Sequence, residues 1–173
     1  RDNPGASAKQ RLKMLSLALE EFSQLSVDDR EIQRSGVSYS VDTVKELREE
    51  IGDSCELLFV MGADAFALIH EWHEWPELTN YCHIIVMDRP GMDIPGMDRP
   101  GMERPGSESI RINPLVLEWL EDKLVVEPQE LEMKGFGRVL RVRLKQWNLS
   151  ATDVRQRARR QEALDKLVPE TVA

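Results

Sequence analysis

Four short segments of this sequence combine side chains that could bind a small anionic ligand. In the first, Ser38-Tyr39-Ser40-Val41-Asp42-Thr43, hydroxyl groups stand where a helix is expected to begin. The free N–H groups and the positive dipole end of a helix N-terminus attract an anion such as a carboxylate. An ordinary helix N-cap has the same pattern, so the spacing alone leaves two interpretations of Ser40 open.

Two further segments could contact a sugar and an aromatic ring. Gly62-Ala63-Asp64 follows an apolar run, where glycine allows a close approach to the backbone and Asp64 could accept hydrogen bonds from ribose hydroxyls. Glu71-Trp72-His73-Glu74-Trp75 contains two indoles that could form a stacking wall. We expect Trp75 to pack in the core, which leaves Trp72 as the candidate for ring binding.

The histidines and cysteines show no spacing that is typical of a metal site. His73 is expected at the surface, because Cys82 and His83 offer no matching partner spacing, and no metal ligands are predicted. Cys55 and Cys82 lie in or beside apolar runs. This position predicts buried, reduced thiols and a cytoplasmic protein.

The fourth segment, Ser150-Ala151-Thr152-Asp153-Val154-Arg155, lies in a basic part of an acidic chain. Residues 134–160 contain nine Lys or Arg and one acid, whereas the net charge of the chain is −8. Hydroxyl and N–H groups at a helix start, with Arg155 one turn in, form a cradle for phosphate. A capping box with a solvated arginine face is the alternative, and it is expected for the arginines after residue 156. The negative net charge argues against nucleic acid, and a local basic strip suits a small anion.

Apolar periodicity predicts a single α/β domain over residues 1–173, with buried parallel strands at 57–61 and 83–87. Further strands are predicted at 25–34 and, half-exposed, at 140–144. Helices are predicted at 7–22, 40–50, 113–120 and from 150 onward. Ser7 and Gln10 indicate a capping box, Asn113 an N-cap, and Gly52 the end of the second helix, while Asp153 is expected at the third position of the last helix. Ligands bind beyond the carboxyl ends of strands in such sheets. The sequence contains no run of 18 apolar residues and no signal-peptide pattern, so neither a membrane span nor a membrane partner is expected.

Residues 87–106 are four tandem pentapeptides, of which Met87-Asp88-Arg89-Pro90-Gly91 is the first. Each repeat contains both Pro and Gly, which excludes a helix or a central strand. The composition predicts a flexible surface loop insertion that buries little.

Six segments resemble, in order and spacing, those of bacterial nicotinate-mononucleotide adenylyltransferases (nicotinate-nucleotide adenylyltransferases). They are residues 38–44, 59–66, 71–78, 83–91, 150–155 and 167–169. The resemblance implies a Rossmann-like nucleotidyltransferase fold with three layers and a mostly parallel sheet. It also implies a reaction of NAD biosynthesis: AMP passes from ATP, which carries Mg²⁺, to nicotinate mononucleotide, giving deamido-NAD and pyrophosphate.

The resemblance also implies roles for the acceptor site. Trp72 would stack on the nicotinate ring, while the hydroxyl of Ser40 and the backbone near His73 would hold the carboxylate of that ring. Asp64 would lie near the ribose.

For ATP, the resemblance assigns Ser150, Thr152 and Arg155 to the second phosphate motif of the family. The main ATP cradle of the family, a Gly-rich turn followed by His-x-Gly-His, has no counterpart in this sequence. The catalytic residues are therefore unknown, the first β-α-β unit is expected to be missing through an N-terminal truncation, and this chain is expected to be inactive by itself.

Two other functions fit the same residues. One is a nucleotidyltransferase of the same superfamily with another acceptor, and the other is a fragment that binds a mononucleotide without catalysis. The sequence leaves open whether the chain forms a homo-oligomer.

Overall fold

The computed structural model of the protein describes residues 5–88, 92–94, 97, 108–109, 111–132, 135–143, 151–164, 167–169 and 172. Their contacts divide the chain into two compact units. Residues 38–146 form one, which we call the sheet unit, and residues 1–37 with 147–173 form the other, which we call the helical unit. The expectation of a single domain over the whole chain stays a prediction.

A four-stranded sheet organises the sheet unit. Its strands, in spatial order, are β1 (Leu58–Gly62), β2 (His83–Met87), β6 (Val139–Val142) and β5 (Leu124–Val125). All three neighbouring pairs are parallel, as the alternation of strands and helices in the sequence predicts. A separate parallel pair joins β3 (Met92–Asp93) to β4 (Glu108–Ser109).

Helices cover both faces of this sheet, which confirms the three-layer arrangement. On one face lie α3 (Ser40–Ile51), α4 (Ala63–Ala67) and α5 (Pro114–Leu120), and they share a large buried cluster with Ile84 and Val86 of β2. On the other face, Ile85 joins Leu131 of α6 (Gln129–Glu132) in a smaller cluster. The alternation of these three β2 side chains follows the two-residue period of a strand.

The bounds of α3 follow directly from its sequence. Val41 and Val44 are buried one turn apart on the inner side. Gly52 ends the helix with a φ of +71°, a conformation that glycine adopts without the steric cost of a Cβ. The turn that Gly52 begins leads towards β1, so this glycine determines how the chain leaves α3 for the sheet.

Strand β1 is only half-buried, so the prediction that both of its faces are covered is wrong. Leu58 is 44% exposed and Val60 is 52% exposed, while Phe59 packs against the large core cluster. β1 is an edge strand of the described sheet. One face of it therefore meets the core, and the alternate side chains do not.

Strand β6 differs from its prediction in the opposite sense. The expected half-exposed strand lies inside the sheet between β2 and β5, and Val139 and Leu140 are both buried. The side chain of Arg141 is buried as well, because its Nε lies 2.7 Å from Oδ1 of Asp88, whose side chain is also buried. An arginine can occupy this interior position only because a carboxylate pairs with it.

The helical unit contains α1 (Ala8–Leu19), α2 (Arg30–Gln33) and α7 (Ala151–Arg159). The predicted capping box of α1 is present, with Ser7 and Gln10 each bonding to the backbone of the other. The strand predicted at 25–34 is wrong, since α2 occupies its second half. Asp28 explains the difference: its Oδ1 accepts a hydrogen bond from the N–H of Arg30 at 3.0 Å, which favours a turn into a helix over an extended chain.

One single-residue expectation also fails. Cys82 is buried as predicted, but Cys55 is exposed because it lies in the turn before β1 rather than in the apolar run. In α5, Asn113 is the predicted N-cap and accepts from the N–H of Leu115 at 3.0 Å. Val116 of this helix is buried, whereas Leu117 is 38% exposed.

Most of the pentapeptide repeats lie outside the described residues. Among the repeat residues that the structure describes, Ile94 and Met97 are almost fully buried in the large core cluster. The expectation that the repeats bury little is wrong for these two side chains. The predicted flexibility of residues 87–106 as a whole stays a prediction.

Candidate functional site

The N-terminus of α3 is the first part of the candidate site. Tyr39 is the N-cap, with extended backbone angles (φ −109°, ψ 143°), and its own side chain makes no capping hydrogen bond. Ser40 is thus the first helical residue and Tyr39 precedes it as the N-cap. The terminal N–H groups of a helix and its dipole favour an anion at this place.

An aromatic contact joins this helix start to the segment that follows α4. The rings of Tyr39 and His73 lie 4.1 Å apart, centroid to centroid, and are tilted by 32°. His73 is at the surface as predicted, and its Nε2 lies 3.7 Å from Oε1 of Glu74. Glu74 adopts a left-handed conformation with φ 47°, which is unusual for a residue with a Cβ. The stack brings the side chain of Tyr39, the neighbour of Ser40, into contact with His73.

Trp72 precedes His73 and is half-buried. It follows a 3₁₀ turn, Ile69–Glu71, and packs against the core cluster and edge-on to Phe59 of β1, with 6.3 Å between the ring centroids. Trp75 packs as predicted, against Trp119 at 4.9 Å and the core. Both indoles touch the core, so their burial alone does not assign a ligand to Trp72.

Asp64 stands at the carboxyl end of β1. It is the second residue of α4, directly after Gly62 closes the strand, and it is half-buried. Carboxyl ends of parallel strands are where ligands approach in α/β sheets. Asp64 therefore occupies the edge of the sheet that the sequence analysis predicts.

The predicted phosphate motif lies in the helical unit. Thr152 is the second residue of α7, and its Oγ1 accepts a hydrogen bond from Nη2 of Arg155 at 3.2 Å. Ser150 lies outside the described residues. Asp153, predicted at the third helical position, occupies it and pairs with Arg157 at 3.2 Å.

His83 does not lie at the candidate site. It opens β2 at the amino end of that strand, is fully buried, and its Nδ1 accepts a hydrogen bond from the backbone N–H of Arg138 at 3.1 Å. This is the opposite end of the strand from the ligand-binding edge. From this position, His83 cannot take the place of a histidine of the His-x-Gly-His motif, which has no counterpart in this sequence.

Cys82 is a second buried group without a chemical role in the site. Its Sγ donates to the carbonyl of Leu78 at 3.2 Å. Burial raises the pKa of the Cys82 thiol from 9.0 to about 12, although the nearby Arg48 guanidinium opposes the shift. A thiol with this pKa stays protonated at neutral pH and is a poor nucleophile.

A cleft of about 290 Å³ lies between α3 and the segment after His73. Three carboxyl side chains and one ammonium group line it, together with two other residues. These are Asp42, Glu74, Glu77, Lys45, Val41 and Tyr81. The excess of negative charge makes this cleft a poor place for a phosphate group.

Among the described residues, no group of three or more His, Cys, Asp or Glu side chains could hold a metal ion. In the same part of the chain, no helix is both long and apolar enough to cross a membrane.

Comparisons with known proteins relate the chain to one family of enzymes. Residues 1–157 match the profile of the Cytidylyltransferase-like family. A probable nicotinate-nucleotide adenylyltransferase of Pectobacterium atrosepticum is 37% identical over 165 residues, covering 95% of this chain and 70% of the relative. Its counterpart in Yersinia pestis is 35% identical over 172 residues, covering 99% and 71%.

The chain belongs to the nicotinate-nucleotide adenylyltransferase family. A solved structure of the Plasmodium falciparum nicotinic acid mononucleotide adenylyltransferase complexed with APC is also similar, with a TM-score of 0.45 and 14% identity over 80% of this chain and 55% of that one. Membership confirms the resemblance found in the sequence and makes the chain part of a nucleotidyltransferase. The α/β fold with its parallel sheet agrees with this family.

Sequence reasoning missed three polar side chains that organise the sheet unit. Asp88, Arg141 and Arg48 carry no motif, and only their burial reveals them. A signal existed for Asp88, because it directly follows the last residue of a buried strand. Arg48 had none, since one arginine near the end of a helix is also typical of a solvated surface.

Proposed function

We propose that the protein transfers AMP from ATP to nicotinate mononucleotide, giving deamido-NAD and pyrophosphate, and that the sheet unit binds the acceptor mononucleotide. The observation that carries the proposal is the Tyr39–His73 stack at 4.1 Å. It joins the N-terminus of α3, which suits a carboxylate, to the segment that carries the indole of Trp72, which suits an aromatic ring. Nicotinate presents both groups.

The acceptor roles are those that the family resemblance implies, and this arrangement supports them. The hydroxyl of Ser40 and the first N–H groups of α3 would hold the nicotinate carboxylate, together with the backbone near His73. Trp72 would stack on the pyridine ring, and Asp64, at the carboxyl end of β1, would accept from the ribose hydroxyls. A nicotinamide would gain less at the helix N-terminus, because its amide carries no charge for the dipole to stabilise.

The chemistry is a direct in-line transfer. A phosphate oxygen of nicotinate mononucleotide attacks the α-phosphorus of ATP, the new P–O bond forms, and the bond to the departing pyrophosphate breaks. ATP would bring Mg²⁺ as part of the substrate, and this ion would neutralise charge on the phosphates. In α7, Thr152 and Arg155 would contact the ATP phosphates, and Ser150 is assigned to the same motif from the sequence.

The experiment that tests the proposal is a binding panel on this chain. Isothermal titration calorimetry with nicotinate mononucleotide, nicotinamide mononucleotide and ATP should show tighter binding of the acid than of the amide. Equal affinities would remove the role of the α3 N-terminus. Tighter binding of a mononucleotide without a pyridine ring, such as cytidine monophosphate, would favour another acceptor. Pyrophosphate release in the same mixtures separates a binding fragment from an enzyme.

A further inference from the structure

Arg48 is a buried side chain of α3 that bonds to three backbone carbonyls. It is only 6% exposed. Its Nε donates to the carbonyl of Tyr81 at 2.9 Å, and its Nη1 donates to the carbonyls of Gly52 and Cys55, both at 2.7 Å. Its guanidinium carbon also lies 5.5 Å from the centre of the Phe136 ring.

This arrangement is unusual because the buried charge meets carbonyls rather than an acid. Within the described ranges, no carboxylate pairs with Arg48. Burying a cation is costly unless hydrogen bonds replace its water. Here three backbone carbonyls and an aromatic face replace part of that water, while Nη2 is buried with no hydrogen-bond partner among the described residues. A lysine could not do the same, since only the planar guanidinium presents donors along several fixed directions.

The three carbonyls belong to three different segments, and each segment leads to a residue of the proposed acceptor site. Gly52 ends α3, which begins at Ser40 about 18 Å away along the helix. Cys55 lies in the turn before β1, which ends beside Asp64.

The third carbonyl belongs to Tyr81. It follows the 3₁₀ helix Trp75–Asn80, which continues the segment that carries Trp72 and His73. One guanidinium therefore bonds to all three segments at the end remote from the site.

We propose that Arg48 is a positioning residue for the acceptor site. By fixing the distal ends of α3, of the turn before β1 and of the 3₁₀ helix, it sets the separation of Ser40 from His73. The identity of the ligand at this site, nicotinate mononucleotide, rests on the proposed function, whereas the positioning role of Arg48 does not.

The Tyr39–His73 stack offers a readout that needs no ligand. A ring at 4.1 Å shifts the NMR signals of the His73 imidazole protons, and the chain has only three histidines to assign. Tyr39→Leu supplies the unstacked reference value. In Arg48→Met, the His73 signals should move at least half of the way to that reference, and in Arg48→Lys they should move by a smaller but measurable amount.

The control is Leu131→Ala, in the smaller core cluster on the other face of the sheet. It should lower the melting temperature without moving the His73 signals. His73 signals that stay in place in both Arg48 variants, or that move equally in Leu131→Ala, would overturn the proposal. If Arg48→Met fails to fold, Arg48→Lys against Leu131→Ala decides the same question.

A second measurement connects Arg48 to ligand binding. The dissociation constant for nicotinate mononucleotide should rise tenfold or more in Arg48→Met, while that for ATP stays within twofold. A wild-type chain that binds no nicotinate mononucleotide would contradict the proposed function and leave the His73 result to decide the role of Arg48. A displaced His73 with unchanged mononucleotide affinity would overturn the link between Arg48 and the acceptor site.

Discussion

The sheet unit and the helical unit hold their candidate site residues in different ways. The buried apolar residues of the described structure, from Val41 to Leu140, all belong to the sheet unit. In the helical unit, none of the three helices contains a buried residue. The acceptor residues therefore stand on elements fixed by packing, whereas Thr152 and Arg155 are joined by one local hydrogen bond. Helices of this length gain most of their stability from packing, so the two units should respond differently to substitution.

The largest expected difference is in stability. Phe66→Ala removes a fully buried ring from the sheet unit and should lower the free energy of unfolding by about 3–5 kcal/mol. Phe22→Ala removes the same ring in the helical unit, where it is 48% exposed, and should change that free energy by only about 0.5 kcal/mol. Urea unfolding of both variants measures the comparison. Equal losses would show that Phe22 is part of a core.

A smaller effect is expected in the binding of the acceptor. Trp72→Ala should raise the dissociation constant for nicotinate mononucleotide tenfold or more, because stacking on a base-like ring contributes about 1–3 kcal/mol. The constant for ATP should hardly change. Trp119→Ala is the control, since this indole packs on Trp75 in the core. If both constants rise equally in Trp72→Ala, Trp72 acts only through packing.

The burial of Cys82 predicts how the stability of the sheet unit depends on pH. The folded pKa is raised to about 12, whereas the unfolded thiol has its ordinary value of 9.0. The contribution of the buried Cys82 thiol to the free energy of unfolding is complete below pH 9. It is lost as the pH rises towards 12, because only the unfolded state releases the thiol proton in this range. At pH 10 the loss is on the order of 1 kcal/mol. Chemical unfolding at pH 8 and pH 10 should show the extra loss in wild type and in Cys55→Ala, but not in Cys82→Ala.

The smallest effect is expected in the helical unit. Arg155 is exposed, and an exposed ion pair contributes at most about 1 kcal/mol. Arg155→Ala should therefore raise the dissociation constant for ATP by up to about fivefold and leave that for nicotinate mononucleotide unchanged. Arg157→Ala, whose side chain already pairs with Asp153, serves as the control. Identical ATP affinities of the two variants would assign Arg155 to a solvated face.

Local signals in the sequence predicted what depends on neighbouring residues. The capping box at Ser7, the N-cap at Asn113 and the end of α3 at Gly52 are all confirmed. These features depend on hydrogen bonds and backbone angles within a few residues of each other, which a sequence displays directly. The order of strands and helices, and with it the parallel sheet, followed from periodicity for the same reason.

Features that depend on the position of a strand in the sheet could not be predicted in this way. The apolar run of β1 predicts a strand that is buried on both faces, yet this strand lies at an edge of the described sheet. The alternating pattern of β6 predicts a half-exposed strand, yet β6 lies inside the sheet. Ile94 lies between these two classes, because its burial has a local signal in the sequence but depends on tertiary contacts. It is the only apolar residue at the third position of the four repeats, where the others have arginine, and the core buries it.

The sequence by itself determined the family, the element order and the residue types of the candidate site. Only the tertiary structure decided that Tyr39 stacks on His73 and that Arg48 joins three segments through their carbonyls. Both are contacts between residues more than thirty positions apart or with backbone atoms, which are the same in every residue. A sequence carries no local mark of such contacts, because they exist only after the core has brought the segments together.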